Sequence, residues 1–345
     1  MVAGGLFVPT NQATLDYESM KIQIFIPTFN RAAKLKRAIS SVLAQTWAGL
    51  EVVVLDNHST DDTEKMVTSL MAADARISYI RRESNIGMIA NFNSIGELVT
   101  GDYFAVQADD DEYEPCFVDT AMTLFAKYND IGFVACNALT KAHGVVTKSQ
   151  LDYWPEGYCL ANTAIMKCLL GHYPLITNCL MRADLRKDFF FYPELGNTSD
   201  GFLCTRLFVK YNACVSKQVT GYWNNDGENA SSLQKFDPIL VVNTAISEYK
   251  LYDELNRRGE FDSKWLSLVW LKRNLTILLA SDKAGFDCVY AHTHMKSMMK
   301  RSSVLALRLL HGTRLVRVFF VVLQAARRLN IRYILWREQH CTQRH

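Results

Sequence analysis

Apolar residues in the first hundred positions follow two alternating rhythms. Ile22-Gln23-Ile24-Phe25-Ile26 is an almost unbroken apolar run stopped by Pro27, and Val52-Val53-Val54-Leu55 is another. Ile77-Ser78-Tyr79-Ile80 and Tyr103-Phe104-Ala105-Val106 repeat the pattern. Short runs of this kind predict strands buried on both faces. Between them, Leu35, Ala38, Ile39, Val42 and Leu43 recur at helical spacing. Met66, Val67 and Leu70 predict a helix opened by Asp61-x-x-Glu64, which reads as a capping box. Residues 88–99 read as a further helix. Strands alternating with helices imply a parallel sheet with right-handed crossovers. From about residue 130 to 235 the pattern loosens and aromatic residues become frequent, with strand-like stretches near 131–138, 176–181 and 213–220. Beyond 238 the chain reads as helices, with residues 239–255 and 265–279 both periodic.

Composition adds a division that the periodicity does not show. The chain has 345 residues and is 49% hydrophobic, enough for one large α/β domain with an appendage or two modest domains. Its net charge of +3 conceals an asymmetry. Residues 296–345 hold eleven Lys or Arg and one acid, Glu338, so the remainder is mildly acidic. Residues 303–336 mix Leu, Val, Phe and Ile with Arg308, Arg314, Arg317, Arg327, Arg328 and Arg332. That basic amphipathic pattern suits an anionic membrane surface, with an oligomer-forming helix pair as the bland alternative. No base-reading module is recognisable, which argues against nucleic acid. The longest apolar stretch, Val318 to Leu323 continuing to Ala326, is far short of the ~20 residues that span a bilayer. With no signal peptide in evidence, the expectation is a soluble or peripheral protein. The nine cysteines include no CxxC pair, and Cys136, Cys179, Cys204 and Cys214 lie in apolar surroundings. These predict buried free thiols of a reducing compartment.

Candidate chemistry collects where the predicted strands end. Ligands of parallel α/β sheets bind outside the carboxyl ends of the strands. Those ends are Pro27-Thr28-Phe29-Asn30, Asp56-Asn57-His58-Ser59, the stretch 82–87, and Asp109-Asp110-Asp111, all polar and all expected on one sheet edge. Three adjacent carboxylates after a buried strand repel one another, and a hard divalent cation neutralises them through oxygen ligands. A solvated turn before Pro115 is the bland alternative. Asp56 can accept a hydrogen bond from a nucleotide or cap a helix, although Ser59 and Thr60 are the more natural caps. Asn85-Ile86-Gly87 opens a helix, where backbone amides favour an anion or simply form a turn.

In chain order these blocks carry a resemblance. They are Ile26-Pro27-Thr28-Phe29-Asn30-Arg31, the helix ending Ser41-Val42-Leu43-Ala44-Gln45-Thr46, the run Glu51 to Thr63 (EVVVLDNHSTDDT), Asn85-x-Gly87, and Gly101-Asp102-Tyr103 before the acidic run. Together they resemble the family 2 glycosyltransferases, densely over residues 21–119 and by single positions as far as about 235. The resemblance implies an inverting enzyme of the GT-A fold, an α/β architecture with a Rossmann-like mixed sheet flanked by helices, here with a C-terminal helical basic extension. It divides the chain into an irregular extension (1–19), a nucleotide-sugar-binding half (20–119), an acceptor-binding half (120–237) and a helical C-terminal region (238–345). It implies that Pro27, Thr28, Asn30 and Asp56 contact the nucleotide and that Asn85 closes over the base. Asp109 would face the ribose and Asp111 would hold Mn²⁺ or Mg²⁺ on the diphosphate, with Asp110 able to take either role. It places a general base at Asp200, ahead of the helix containing Arg206; an N-cap is the plainer reading of that residue. Many relatives carry a His several residues before a Ser in the loop after the last core strand; Asp226 stands near that position and is a candidate substitute. Trp223 and Trp154 could stack on sugar faces or pack in the core.

The implied activity is transfer from a nucleotide-sugar, a UDP-sugar by expectation, to a glycan acceptor. That acceptor would be carried on a polyprenyl diphosphate in surface-polysaccharide assembly, at the cytoplasmic face of the cell membrane. A sugar-phosphate nucleotidyltransferase would need a Gly-rich phosphate loop with a basic residue after the first strand, which Pro27-Thr28-Phe29-Asn30 is not. A non-catalytic sugar-nucleotide or glycan binder would need no general base. The oligomeric state is left open.

Overall fold

A computed structural model describes residues 19–142, 145–169, 171–225, 227, 237–284 and 293. The basic tail and Asp226 lie outside the described residues. Strands β1 (Ile22–Thr28), β2 (Leu50–Asp56), β3 (Ile77–Arg81) and β4 (Tyr103–Val106) form where the apolar runs predict them. Helices α1 (Ala32–Leu43) and α2 (Thr63–Ala73) cross between them. The helix expected over 88–99 is broken at Ser94 into α3 (Met88–Asn93) and α4 (Ile95–Leu98). Thereafter come β5 (Glu112–Tyr113), α5 (Phe117–Lys127), β6 (Ile131–Ala142), β7 (Val145–Ser149), β8 (Gly157–Cys159), α6 (Ile165–Leu169), β9 (Cys179–Arg182), α7 (Ser199–Lys210) and β10 (Asn212–Asn224). Two long helices, α8 (Pro238–Arg257) and α9 (Ser263–Ala284), follow and pack on each other.

The sheet order is β3-β2-β1-β4-β9-β6-β10-β5, with β7 on β6 and β8 on β10. The first four strands are parallel, in register from Ile22↔Leu50 to Thr28↔Asp56. β9 enters antiparallel between β4 and β6, which makes the sheet mixed. β6 and β10 run parallel to each other, so β10 ends on the same edge as β1, β2 and β4.

The unbroken apolar runs are explained by burial on both faces. Ile22, Ile24, Ile26, Val52, Val54 and Ala105 pack against α1, α2 and α5. The intervening Phe25, Val53, Leu55, Phe104 and Val106 face Ile95, Val99, Phe189 and α7. Alternation persists, but both faces are core, so the sequence reads as continuous. The capping box at Asp61 does not form. Helix α2 starts after Asp62, and Asp61 accepts hydrogen bonds from the Thr63 N–H at 3.1 Å and the Ala32 N–H at 3.0 Å, tying α2 to the start of α1. Trp154 is a core residue: it is buried, stacks on Phe208 with centroids 4.8 Å apart, and donates its indole N–H to the His172 carbonyl at 2.7 Å. It has no face left for a sugar. Seven of the nine cysteines are described, all as free thiols, five of them buried. Among the described residues, no helix is long and apolar enough to cross a membrane.

Candidate active site

The carboxyl ends of β1, β2, β4 and β10 open into one cavity of about 700 Å³. It runs across the sheet order. Asn57 and Asn85 stand at the β2–β3 end, Thr28, Arg31 and the acidic run in the middle, and Asp200, Tyr173 and Trp223 at the far end.

The acidic run is buried by the elements on either side of it. Asp109, Asp110 and Asp111 are each under 10% exposed, at 7%, 9% and 6%. Asp109 accepts from the Thr28 hydroxyl at 2.7 Å. Arg31 Nη1 donates to Asp109 at 3.1 Å and to Asp110 at 2.8 Å. One guanidinium thus serves two carboxylates, and these charge-assisted bonds offset part of the burial cost. Among the described residues no such cation reaches Asp111. It accepts from the Asn224 N–H at 3.0 Å, while the Asn224 side chain donates to the Asp110 carbonyl at 2.8 Å. Gln107 Nε2 donates to the Asp111 carbonyl at 2.9 Å and holds the turn from beneath. Burial, then the neighbouring Asp110, push the Asp111 carboxyl well above the usual carboxylate range. Burial also raises Asp109, with Arg31 and Thr28 opposing.

Arg31 and Asn224 are the residues whose importance the sequence did not rank. Three carboxylates in a row imply a cation, and the first basic residue after β1 is Arg31. Asn224 carries no local signal, because its role depends on β10 pairing antiparallel with β5 right after the run.

The strand ends divide their labour differently from expectation. Asp56 is fully buried and does not line the cavity. It accepts from the Ser59 N–H at 2.9 Å and the Tyr79 hydroxyl at 2.6 Å, with Arg81 Nε 3.5 Å away. Both oxygens are committed to holding the loop after β2. The next residue, Asn57, reaches the cavity instead. It donates to Asn85 Oδ1 at 2.8 Å and accepts from the Ile86 N–H at 2.9 Å. The Gly87 N–H also bonds to Asn85 Oδ1, at 2.9 Å. The two amides expected to favour an anion are therefore spent within the loop, and α3 behind them has only six residues. Asn30 adopts a left-handed φ of 55°, which Asn tolerates better than most residues. Its Oδ1 accepts from the Thr60 N–H at 2.7 Å, and its own N–H donates to Ser59 Oγ at 2.9 Å. Asn30 braces the two loops, while Pro27 and Thr28 line the cavity.

Asp200 sits in the first turn of α7, half-buried against the cavity. Its Oδ1 accepts from the Gly201 N–H at 2.7 Å. Burial pushes its carboxyl up to about 6, opposed by Gly201 and by the Tyr173 hydroxyl. Trp223 lines the cavity from the end of β10.

A curled mixed sheet with a nucleotide-sized cleft across its carboxyl edge and an acidic run at its centre defines the GT-A fold. Solved structures agree on the architecture. TarS of Staphylococcus aureus, crystallised with UDP-GlcNAc, superposes with a TM-score of 0.59 at 17% identity over 85% of this chain and 89% of that one. A mannosyltransferase of Pyrobaculum calidifontis in complex with GDP-Man and Mn²⁺ gives 0.52 at 16% identity over 87% and 83%. Residues 23–190 match the family model for glycosyl transferase family 2, and this match together with the glycosyltransferase relatives below supports a family 2 glycosyltransferase. Among named relatives, the GalNAc(5)-diNAcBac-PP-undecaprenol beta-1,3-glucosyltransferase of Campylobacter jejuni is 32% identical over 130 residues, 37% of this chain and 41% of that protein. An uncharacterized glycosyltransferase of Haemophilus influenzae is 25% identical over 255 residues, 68% of this chain and 78% of that protein. Other matched relatives share a stretch covering about a third of their own length.

Proposed function

We propose that this chain is an inverting glycosyltransferase that moves a sugar from a nucleotide-sugar to a hydroxyl of a glycan acceptor. One observation carries the reading: a single cavity holds the amide pair Asn57–Asn85, the acidic run, and a separate carboxylate at Asp200 poised near neutral pH. In this reading the donor runs along the cavity in the order of these groups. The base lies toward Asn57 and Asn85, the diphosphate beside Thr28, Arg31 and the acidic run, and the sugar toward Asp200 and Trp223.

Asp200 then acts as general base. It takes the proton of the acceptor hydroxyl while that oxygen attacks the anomeric carbon, and the bond to the diphosphate oxygen breaks on the opposite face. A base with a pKa near the working pH is both ionised and basic enough to drive that transfer. The residues present fit a divalent cation, because Asp111 is a buried carboxylate beside two others, and Arg31 bonds to Asp109 and Asp110. Among the described residues, no group of three His, Cys, Asp or Glu side chains forms a metal cage. Asp111 would therefore hold Mn²⁺ or Mg²⁺ jointly with donor oxygens. When bound, such an ion supplies positive charge that stabilises the departing diphosphate.

The donor is a UDP-sugar in this reading, and the acceptor is a glycan on a polyprenyl diphosphate. The activity of the Campylobacter relative, which acts on a glycan carried by PP-undecaprenol, supports the acceptor class. The basic tail would bring the chain to the anionic inner face of the membrane. A panel of UDP-, GDP-, CDP- and dTDP-sugars, screened for thermal stabilisation and hydrolysis with and without Mn²⁺, tests the proposal. Metal-dependent stabilisation by a UDP-sugar is expected. Indifference to every nucleotide-sugar would overturn it.

A further inference from the structure

The end of the cavity at Asp200 contains a fit that the transfer reaction alone does not require. Gly201 lies in the first turn of α7, although glycine is a poorer helix former than alanine. A Cβ at Gly201 would sit 2.5 Å from Cε1 and 2.7 Å from Cζ of Tyr173, far inside any tolerated contact. The Tyr173 ring therefore occupies the place of a side chain on that turn. Tyr173 and Asp200 both line the cavity, and Tyr173 comes from the loop between α6 and β9, distant in sequence.

Taking Asp200 as the proton acceptor proposed above, we infer that Tyr173 is its positioning residue: the ring, admitted by Gly201, carries a hydroxyl to the Asp200 carboxylate and fixes the orientation in which that carboxylate meets the acceptor. Burial and the adjacent Asp200 raise the Tyr173 hydroxyl well above its ordinary value, so it stays protonated and donates throughout the working range. A donor to the ionised form favours that form, so Tyr173 limits the rise that burial imposes on Asp200.

Other titratable groups surround the pair. Cys204 lies one turn further along α7 and Cys168 on α6, and burial raises both thiols well above neutrality, which leaves them uncharged. Glu248 on α8 acts on Tyr173 but is paired with Lys272 at 2.8 Å. Glu194, on the turn before α7, is exposed. The acidic run shares the cavity.

The test is a carboxyl-¹³C NMR titration of the full chain without donor, with the Asp200 signal assigned by its loss in Asp200→Asn. In Tyr173→Phe, which keeps the ring against Gly201, the Asp200 midpoint should rise by roughly half to one pH unit. Gly201→Ala keeps the hydroxyl but displaces the ring, so it should move the midpoint the same way and carries the test if Tyr173→Phe does not fold. An unmoved or lowered midpoint in the folded variants overturns the inference whatever the activity. With the donor identified by the screen above, the acid limb of transfer should move with the midpoint. A shifted midpoint with an unshifted acid limb would instead overturn Asp200 as proton acceptor and leave the Tyr173 contact standing.

Discussion

Replacing Asp200 by Asn should make the protein more stable and nearly inactive, and the pH dependence of the stability gain identifies the cause. The folded protein raises the Asp200 carboxyl from its ordinary 3.8 to about 6, chiefly through burial. Folding therefore disfavours the ionised form. Below pH 3.8 the group is protonated in both folded and unfolded chains and contributes nothing. Between pH 3.8 and 6 the penalty develops, and above 6 it is complete. At 1.36 kcal/mol per pH unit it amounts to at most about 3 kcal/mol, and less to the extent that the half-exposed carboxylate recruits water. Asn keeps an oxygen for the Gly201 N–H, so the substitution removes the charge and little else. Melting curves of both proteins from pH 4 to 8, without metal or donor, measure the difference. It should be near zero at pH 4 and reach several degrees at pH 7.5, at ~2–4 °C per kcal/mol for a domain of this size. Nucleotide-sugar binding should stay within a few fold, while transfer falls by ~10²-fold or more, the scale of lost general-base catalysis. A stability difference independent of pH would refute the burial argument. Full activity in the variant would refute the general-base assignment.

Asp111→Asn should abolish the extra thermal stabilisation that Mn²⁺ gives in the presence of nucleotide, while leaving stabilisation by nucleotide alone within a few fold; calorimetry with and without metal distinguishes the two. Asp56→Ala should act on the fold rather than on the ligand, because it orphans the Ser59 N–H, the Tyr79 hydroxyl and Arg81, and a loss of about 3–5 kcal/mol by urea unfolding is expected for breaking a buried charged network. Deleting residues 300–345 should weaken binding to anionic liposomes, and that binding should fall with added salt; salt-insensitive association in a flotation assay would point to a protein or purely hydrophobic partner.

Local patterning reached furthest where one physical rule governed each segment. The β1–β4 runs are buried on both sides and carry nothing that competes with a strand assignment, so their positions were legible from apolar residues alone. The chemistry at their ends was legible for a similar reason, since a parallel sheet delivers every carboxyl terminus to one edge. Ser94 was less legible, because a helical pattern continues through it while its hydroxyl bonds back to the Asn91 carbonyl at 2.7 Å, where the helix divides. Asp61 misled because its capping spacing was correct but a nearer partner, Thr63, captured it.

The sequence by itself determined the alternating half-sheet, the polar edge, the acidic run at its centre and the resemblance to the family 2 glycosyltransferases. Tertiary structure decided which polar residues face the cavity. Adjacent residues at a strand end point in opposite directions, so Asp56 is buried beneath the loop and Asn57 meets the cleft. It also decided that Arg31, from the loop after β1, bonds to both Asp109 and Asp110. It brought Tyr173 onto Gly201 beside Asp200, a contact between segments far apart in the chain. Periodicity records which side of an element is apolar, whereas a site depends on which distant side chains come within a few ångströms, and only the packed chain sets those distances.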